Sequence, residues 1–223
     1  MNTKAWIAEF IGTFALVFIG VGAIASAPLA GSGLVGIALA HGLTIAVMVS
    51  ATGAVSGGHL NPAVTIGLLT TGKIDAGNAV GYIVSQCLGG VVAVLLLLAA
   101  IPEQVRAVGI GTPALADGVG AGSGLLIEIV LTFFLVFVIY GSAVDKRAPK
   151  MGGLFIGLTV TLDILMGGPL TGAAMNPARH LGPALFAGSS FAGQIWLYWL
   201  GPVVGGVLAA QFYARVLEER SEA

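Results

Sequence analysis

Long apolar runs, separated by short polar or glycine-rich breaks, dominate the order of hydrophobic and polar positions along the chain. Six of them, at residues 5–25, 34–54, 77–100, 123–144, 151–168 and 193–216, approach the roughly 20 helical residues needed to cross a bilayer. Two shorter apolar pieces remain, at 61–70 and 176–186. About ten residues rising 1.5 Å each reach only half-way through the hydrocarbon core, so these pieces predict half-helices. The longest break, 101–122, contains Pro102, Pro113 and several glycines. This pattern predicts an all-α membrane protein of six transmembrane helices and two half-helices, forming a single domain over 1–223.

The first run imitates a signal peptide, with Lys4 ahead of it and Ala25-Ser26-Ala27 after it. It is nevertheless long enough to span, carries Glu9 and has a counterpart later in the chain, so it is expected to be a retained helix.

That counterpart belongs to an internal repeat. Gly42-Leu43-Thr44 returns as Gly157-Leu158-Thr159, and Asn61-Pro62-Ala63 as Asn176-Pro177-Ala178, both at a shift of 115 residues. Ala8-Glu9-Phe10 is echoed by Ile127-Glu128-Ile129, and Gly89-Gly90 by Gly205-Gly206. The repeats are expected at 1–100 and 123–216, with 101–122 connecting them. Three spans per repeat is an odd number, so the second must insert upside down. Inverted repeats bring interrupted helices together near the bilayer midplane.

Composition adds three points. With 57% hydrophobic and 9% charged residues and a mean hydropathy of +1.01, the chain falls far below the quarter of charged residues usual in soluble domains. A net charge of −1 argues against nucleic acid as a partner. The 35 glycines suit membrane helices, which pack through small residues. Lys4, Lys73, Lys146, Arg147, Lys150, Arg215 and Arg220 fall on one side and only Arg106 on the other, which puts both termini in the cytoplasm, with the cell membrane expected. Arg179 is left over, inside the second short piece. Cys87 is the sole cysteine and reads as a buried structural thiol.

Asn is a favoured N-cap, and Pro fits the first helical turn because its missing N–H has no intrahelical partner there. Asn61 and Asn176 therefore each open a half-helix whose positive dipole end faces the membrane centre. Irregular backbone at that depth is tolerated where it lines water. The free carbonyls of Gly57, Gly58, His59, Gly172, Ala173 and Ala174 are expected to form a ladder of acceptors beside the two Asn amides. One Asn-Pro-Ala is a common turn signal; two copies, each opening a half-length apolar piece, are specific. No nucleophile–base pair or metal-ligand cluster occurs, so no catalytic residue, metal or cofactor is expected.

With these motifs the sequence resembles the aquaporin (major intrinsic protein) family over nearly its whole length. Ser56 to Thr65 and Met175 to Arg179 match the two signature loops; Ala8 to Thr13 and Gly201 to Gly206 match helix motifs. The resemblance implies a homotetramer in the lipid bilayer, with one pore per subunit for water and small neutral solutes. It implies a four-residue filter, which alignment carries onto His41, Ile164, Ala173 and Arg179. An intramembrane ionisable side chain is a functional candidate by default, which favours His41 and Arg179; Ile164 and Ala173 rest on the alignment. This filter is similar to those of plant tonoplast intrinsic proteins and ammonia-conducting aquaporins. The expected solutes are therefore water and ammonia, with hydrogen peroxide or urea in addition, and ions and protons excluded. Glycerol is disfavoured, because His180 stands where glycerol conductors carry Asp. The family's matching glutamates imply that Glu9 and Glu128 brace the loops. An ion- or proton-coupled transporter is the alternative, since it too uses inverted repeats; Glu9, Glu128 and Asp163 would be its titratable groups. No gating device is visible, and 145–150 contains neither Ser nor Thr.

Overall fold

The computed structural model describes residues 2–219; Arg220, counted in the charge asymmetry, lies outside them. The described residues form helices and connecting loops, with no strand among them. In chain order the helices are α1 (Thr3–Ala30), α2 (Gly33–Ser56), α3 (Pro62–Thr70), α4 (Ala76–Ala100), α5 (Pro102–Ala107), α6 (Ala121–Ile139), α7 (Gly152–Thr171), α8 (Pro177–Ala187), α9 (Ser189–Ala192) and α10 (Ile195–Phe212). Six helical stretches are long and apolar enough to cross a membrane. They are α1, α2, α4, α6 with the π-helical turn Tyr140–Val144, α7, and α9 to α10 with the π-helical turn Tyr213–Leu217.

The ends of the spans differ from the apolar runs for a local reason. Helix α1 continues past the expected stop at residue 25, through Pro28, to a left-handed cap at Gly31 (φ 63°). Helix α7 runs past Pro169 to Thr171, where Gly172 (φ 79°) ends it, as Gly57 (φ 86°) ends α2. Glycine in the left-handed conformation stops a helix without a Cβ penalty, whereas a few small or polar residues do not. The connector 101–122 is not wholly loop. Pro102 takes the first turn of α5, with Glu103 in its first turn and Arg106 in its last, the placement a helix dipole favours.

Helix α1 packs on α4 and α2, α2 on α7, and α6 on α10 and α7. The half-helices cross between the halves: α3 lies against α10 and α8 against α4. Both crossings depend on glycine. A Cβ on Gly206 of α10 would stand 3.0 Å from the Ala63 carbonyl oxygen, and one on Gly90 of α4 would stand 2.8 Å from that of Ala178. With nine and eleven residues, the half-helices measure roughly 14 and 16 Å. Laid end to end they match the ~30 Å hydrocarbon core.

Candidate channel site

The two half-helices meet at their N-termini. Asn61 is extended (φ −160°, ψ 122°), and its side-chain oxygen accepts from Ala63 N at 2.9 Å. Asn176 repeats this, accepting from Ala178 N at 3.0 Å and Arg179 N at 3.2 Å. Because the cap consumes each oxygen, the amide nitrogens point the other way. Asn61 Nδ2 donates to Met175 O at 2.8 Å, and Asn176 Nδ2 donates to Leu60 O at 2.9 Å. Each cap thus ties the opposite loop, and each NH2 group keeps a second hydrogen.

The loops before the caps are strained. Gly57, Gly58 and Leu60 have φ of 86°, 64° and 52°; Gly172, Ala173 and Met175 have 79°, 43° and 50°. Left-handed backbone at a residue other than glycine costs on the order of 1–3 kcal/mol, so Leu60, Ala173 and Met175 need support. Two buried carboxylates supply it. Glu9 accepts from His59 N (2.9 Å), Leu60 N (2.6 Å), Ser56 Oγ (2.6 Å) and Gln86 Nε2 (2.7 Å). Glu128 accepts from Ala174 N (3.0 Å), Met175 N (2.8 Å) and Thr171 Oγ1 (2.7 Å). Ser56 and Thr171 each also accept a loop N–H, from Gly58 and Ala173. Tyr82 and Tyr198 donate to Ser56 O and Thr171 O at 2.8 and 2.6 Å.

Between the loops and α2, α6 and α7 runs a narrow cavity enclosing about 40 Å³. Since roughly 10–15 Å³ of such space holds one water, it has room for a file of about three. One wall is apolar, with Ile45, Val49, Leu135, Ile139, Ile156 and Val160; the other carries Gly58, His59, Asn61, Ala174, Met175 and Asn176. His41, Ile164, Ala173 and Arg179 all line the same cavity. A second cavity of about 240 Å³ shares Gly58 and His59 and opens toward Lys73. Gly57 lines that vestibule rather than the narrow part, and Gly172 lines neither. A Cβ on Gly172 would stand 2.6 Å from Pro113 Cα, so this glycine lets the connector pack against the loop.

His41 Nδ1 bonds the Ile37 carbonyl oxygen at 2.8 Å and so carries the hydrogen, which leaves Nε2 to accept from Arg179 Nε at 3.3 Å. Both ring nitrogens are therefore engaged. Arg179 is 4% exposed, forms no ion pair among the described residues, and leaves Nη1 without a partner. Asp163 turns away from the narrow cavity into an apolar groove between α6 and α7, where its Oδ2 is unpartnered. His180 is fully buried and stacks on Tyr198, with ring centroids 4.1 Å apart.

Ser56, Tyr82, Gln86, Thr171 and Tyr198 were absent from the sequence reading of the site. Ser56 and Thr171 share the 115-residue shift, and Tyr82 and Tyr198 differ by 116, so the repeat contained a signal for both pairs. Gln86 has no such signal, because the position 116 residues on is Pro202.

A bundle of six membrane-length apolar spans, with two half-helices meeting tip to tip beside a narrow cavity, has the architecture of a membrane channel. Residues 1–213 match the family model described as Major intrinsic protein, and the chain belongs to that family. It is 48% identical over 220 residues to "Aquaporin TIP4-4" of Zea mays, covering 94% of this chain and 85% of that protein. It is 43% identical over 225 residues to "Probable aquaporin TIP2-2" of Arabidopsis thaliana, covering 96% and 88%. The aquaglyceroporin structure from Plasmodium falciparum superposes with a TM-score of 0.87 at 27% identity, over 97% of both chains. The two plant relatives, unlike that structure, are tonoplast-intrinsic-protein aquaporins. The protein is thus a multi-pass membrane channel of the aquaporin family, passing water and small neutral solutes passively, and the coupled-transporter alternative is set aside.

Proposed function

We propose that this channel passes ammonia besides water, with hydrogen peroxide or urea as further solutes, and excludes ions and protons. The observation that supports the reading is the convergence of His41, Ile164, Ala173 and Arg179 on one cavity with room for about three waters. At this level the free polar groups are guanidinium donors and loop carbonyl acceptors, while Ile164 and Ala173 supply only apolar surface. Such an opening desolvates a solute on one side and repays it on the other. Ammonia carries three donors and one acceptor in nearly the volume of water, so it meets the same partners. An ammonium ion instead meets Arg179 and the positive ends of α3 and α8. In this reading Asn61 and Asn176 orient each water through their remaining amide hydrogens, breaking proton-carrying chains. The carbonyls of Gly58, His59 and Ala174 accept from it, with Gly57 at the vestibule, and Pro62, Ala63, Pro177 and Ala178 start the half-helices. Glu9 and Glu128 brace the loops.

The proposal includes a homotetramer embedded in lipid and both termini in the cytoplasm. The cell membrane was the expectation from the sequence; the relatives' tonoplast class weighs against it, and fractionation of the native organism decides. The functional test is stopped-flow on proteoliposomes, comparing water, ammonia, urea and glycerol for the native chain and His41→Phe. Ammonia flux above that of empty liposomes, reduced by His41→Phe, is the expected result. A rate equal to empty liposomes removes ammonia from the function.

A further inference from the structure

We infer that Gly20, on α1 and outside the narrow cavity's lining, is a positioning residue for the opening, because it holds His41 back from the lumen. This rests on reading His41 as part of the filter. Gly20 is buried and stands against the outer edge of the imidazole, where Nε2 lies between Cδ2 and Cε1. A Cβ built on it would lie 2.7 Å from Cδ2 and 2.9 Å from Cε1 of His41, and nearer still to Nε2. Carbon atoms do not approach this closely, so any side chain at position 20 must displace the ring or part α1 from α2.

The ring is not the loose end of a flexible side chain. Its Nδ1 is tied to Ile37 O and its Nε2 to Arg179 Nε, so it is fixed at both nitrogens. With α1 against the Nε2 edge and the cavity as the open side of the ring, a methyl at Gly20 turns the ring toward the lumen. That movement narrows the passage and breaks the contact that orients Arg179. Gly20 thereby sets both the width at His41 and the direction of the guanidinium, without itself reaching any solute.

The same logic applies once more along the wall. A Cβ on Gly167 of α7 would stand 3.2 Å from the Ala173 Cβ, so the opposite side of the opening is also seated on a glycine. The contact at Gly20 is the tighter, and the only one of the two that bears on a hydrogen-bonded ring.

The test is a double-mutant cycle read by water permeability of proteoliposomes, using Gly20→Ala, His41→Ala and the pair together. A misfit of one methylene in a close-fitting pocket is worth roughly tenfold or more in discrimination. Gly20→Ala should therefore lower water permeability about tenfold while His41 is present. In the His41→Ala background, where no ring remains to displace, Gly20→Ala should change it less than twofold. An equal loss in both backgrounds, or native permeability in Gly20→Ala, overturns the assignment. Should Gly20→Ala fail to assemble, recovery of its yield by His41→Ala supports the assignment, and lack of recovery overturns it. Unchanged permeability and solute order in His41→Ala alone overturns the filter reading instead, so the two failures are separable.

Discussion

The two half-helix loops are held by the same carboxylate device, but what stands behind the carboxylates differs. In the first half Gln86 reaches Glu9 and Thr65 Oγ1 (3.1 Å), and Thr65 Oγ1 meets His59 Nδ1 at 3.1 Å. His59 in turn sits edge-on to Tyr82. Shifted by the repeat, the corresponding residues of the second half are Pro202, His180 and Ala174. No hydrogen-bonded chain joins them. His180 lies flat on Tyr198, and its ring approaches the Pro113 backbone of the connector rather than any member of the brace. One brace is a polar network, while the other is a carboxylate backed by stacked rings. The lesson is that the constraint both halves must meet is narrow: two loop N–H groups beside each cap need an acceptor. The hydroxyls of Ser56 and Thr171 and the tyrosines Tyr82 and Tyr198 also repeat in both halves; the difference begins beyond them, at Gln86, Thr65 and His59.

The comparison can be broken most directly at the carboxylates. A buried donor left without a partner costs about 1–3 kcal/mol, and each carboxylate serves two backbone donors, so Glu9→Ala and Glu128→Ala should each lose roughly 2–6 kcal/mol. The conservative pair is sharper. In Glu9→Gln the new amide hydrogens can turn to Gln86 Oε1, which has no partner in the native protein; around Glu128, Pro202 offers no such acceptor. Glu128→Gln should therefore be the more harmful by about 1–3 kcal/mol, measured as thermal stability in detergent. Equal losses would mean that the polar network adds nothing.

A smaller effect is expected at His180. His180→Phe keeps the stack on Tyr198 and gives up only the approach to the Pro113 backbone, so it should change stability by less than about 1 kcal/mol. Thr65→Val, which cuts the polar chain at two hydrogen bonds, should instead destabilise by about 1–2 kcal/mol. A melting temperature lowered as far by His180→Phe as by Thr65→Val would show that the second brace depends on its imidazole as much as the first does on its network.

The smallest effect tests whether the asymmetry is confined to the braces. At the end of α6, outside the bilayer, Asp145 accepts from Arg147 Nε and Nη2 (2.9 and 2.6 Å) and from the Tyr213 hydroxyl (3.2 Å). Those Arg147 hydrogen bonds hold its carboxyl below the ordinary carboxylate range. A depressed carboxyl contributes stability that is present above its unfolded pKa, roughly 3.9, and fades as pH falls through the folded value. Thermal melts should thus show Asp145→Asn less stable than the native chain by a constant amount from pH 7 to 5. The gap should shrink below about pH 4. A gap that changes between pH 7 and 5 would assign the effect to another group.

Much of this was legible in the residues. The six runs, the two short pieces and the inverted repeat follow from apolar length and an odd number of spans per repeat, which one solvent, lipid, enforces everywhere. The caps followed from Asn-Pro, because local backbone chemistry decides them. Helix ends were less legible: at 25–31 and 168–172, which glycine turns left-handed depends on what the next residues must reach. The opening was legible only as a set of four positions. That Ile164 rather than Asp163 lines the cavity is decided by the rotation of α7 against α2 and α6, a tertiary quantity with no one-dimensional trace. The engagement of both His41 nitrogens, and the role of Gly20, depend on contacts across helices. Gln86 stayed hidden because its partner in the repeat is a proline, so the very asymmetry that distinguishes the braces erased the signal.

The crossing of the half-helices has a consequence for how the protein comes into being. Helix α3 rests on Gly206 of the last span, and α8 rests on Gly90 of α4. A nascent chain that has inserted only its first repeat has the α3 cap but neither its supporting helix nor the Met175 carbonyl that Asn61 grips. The conducting path therefore has no partial version. It exists only once α10 is seated, so the pore is a property of the complete pair of repeats and of neither one alone.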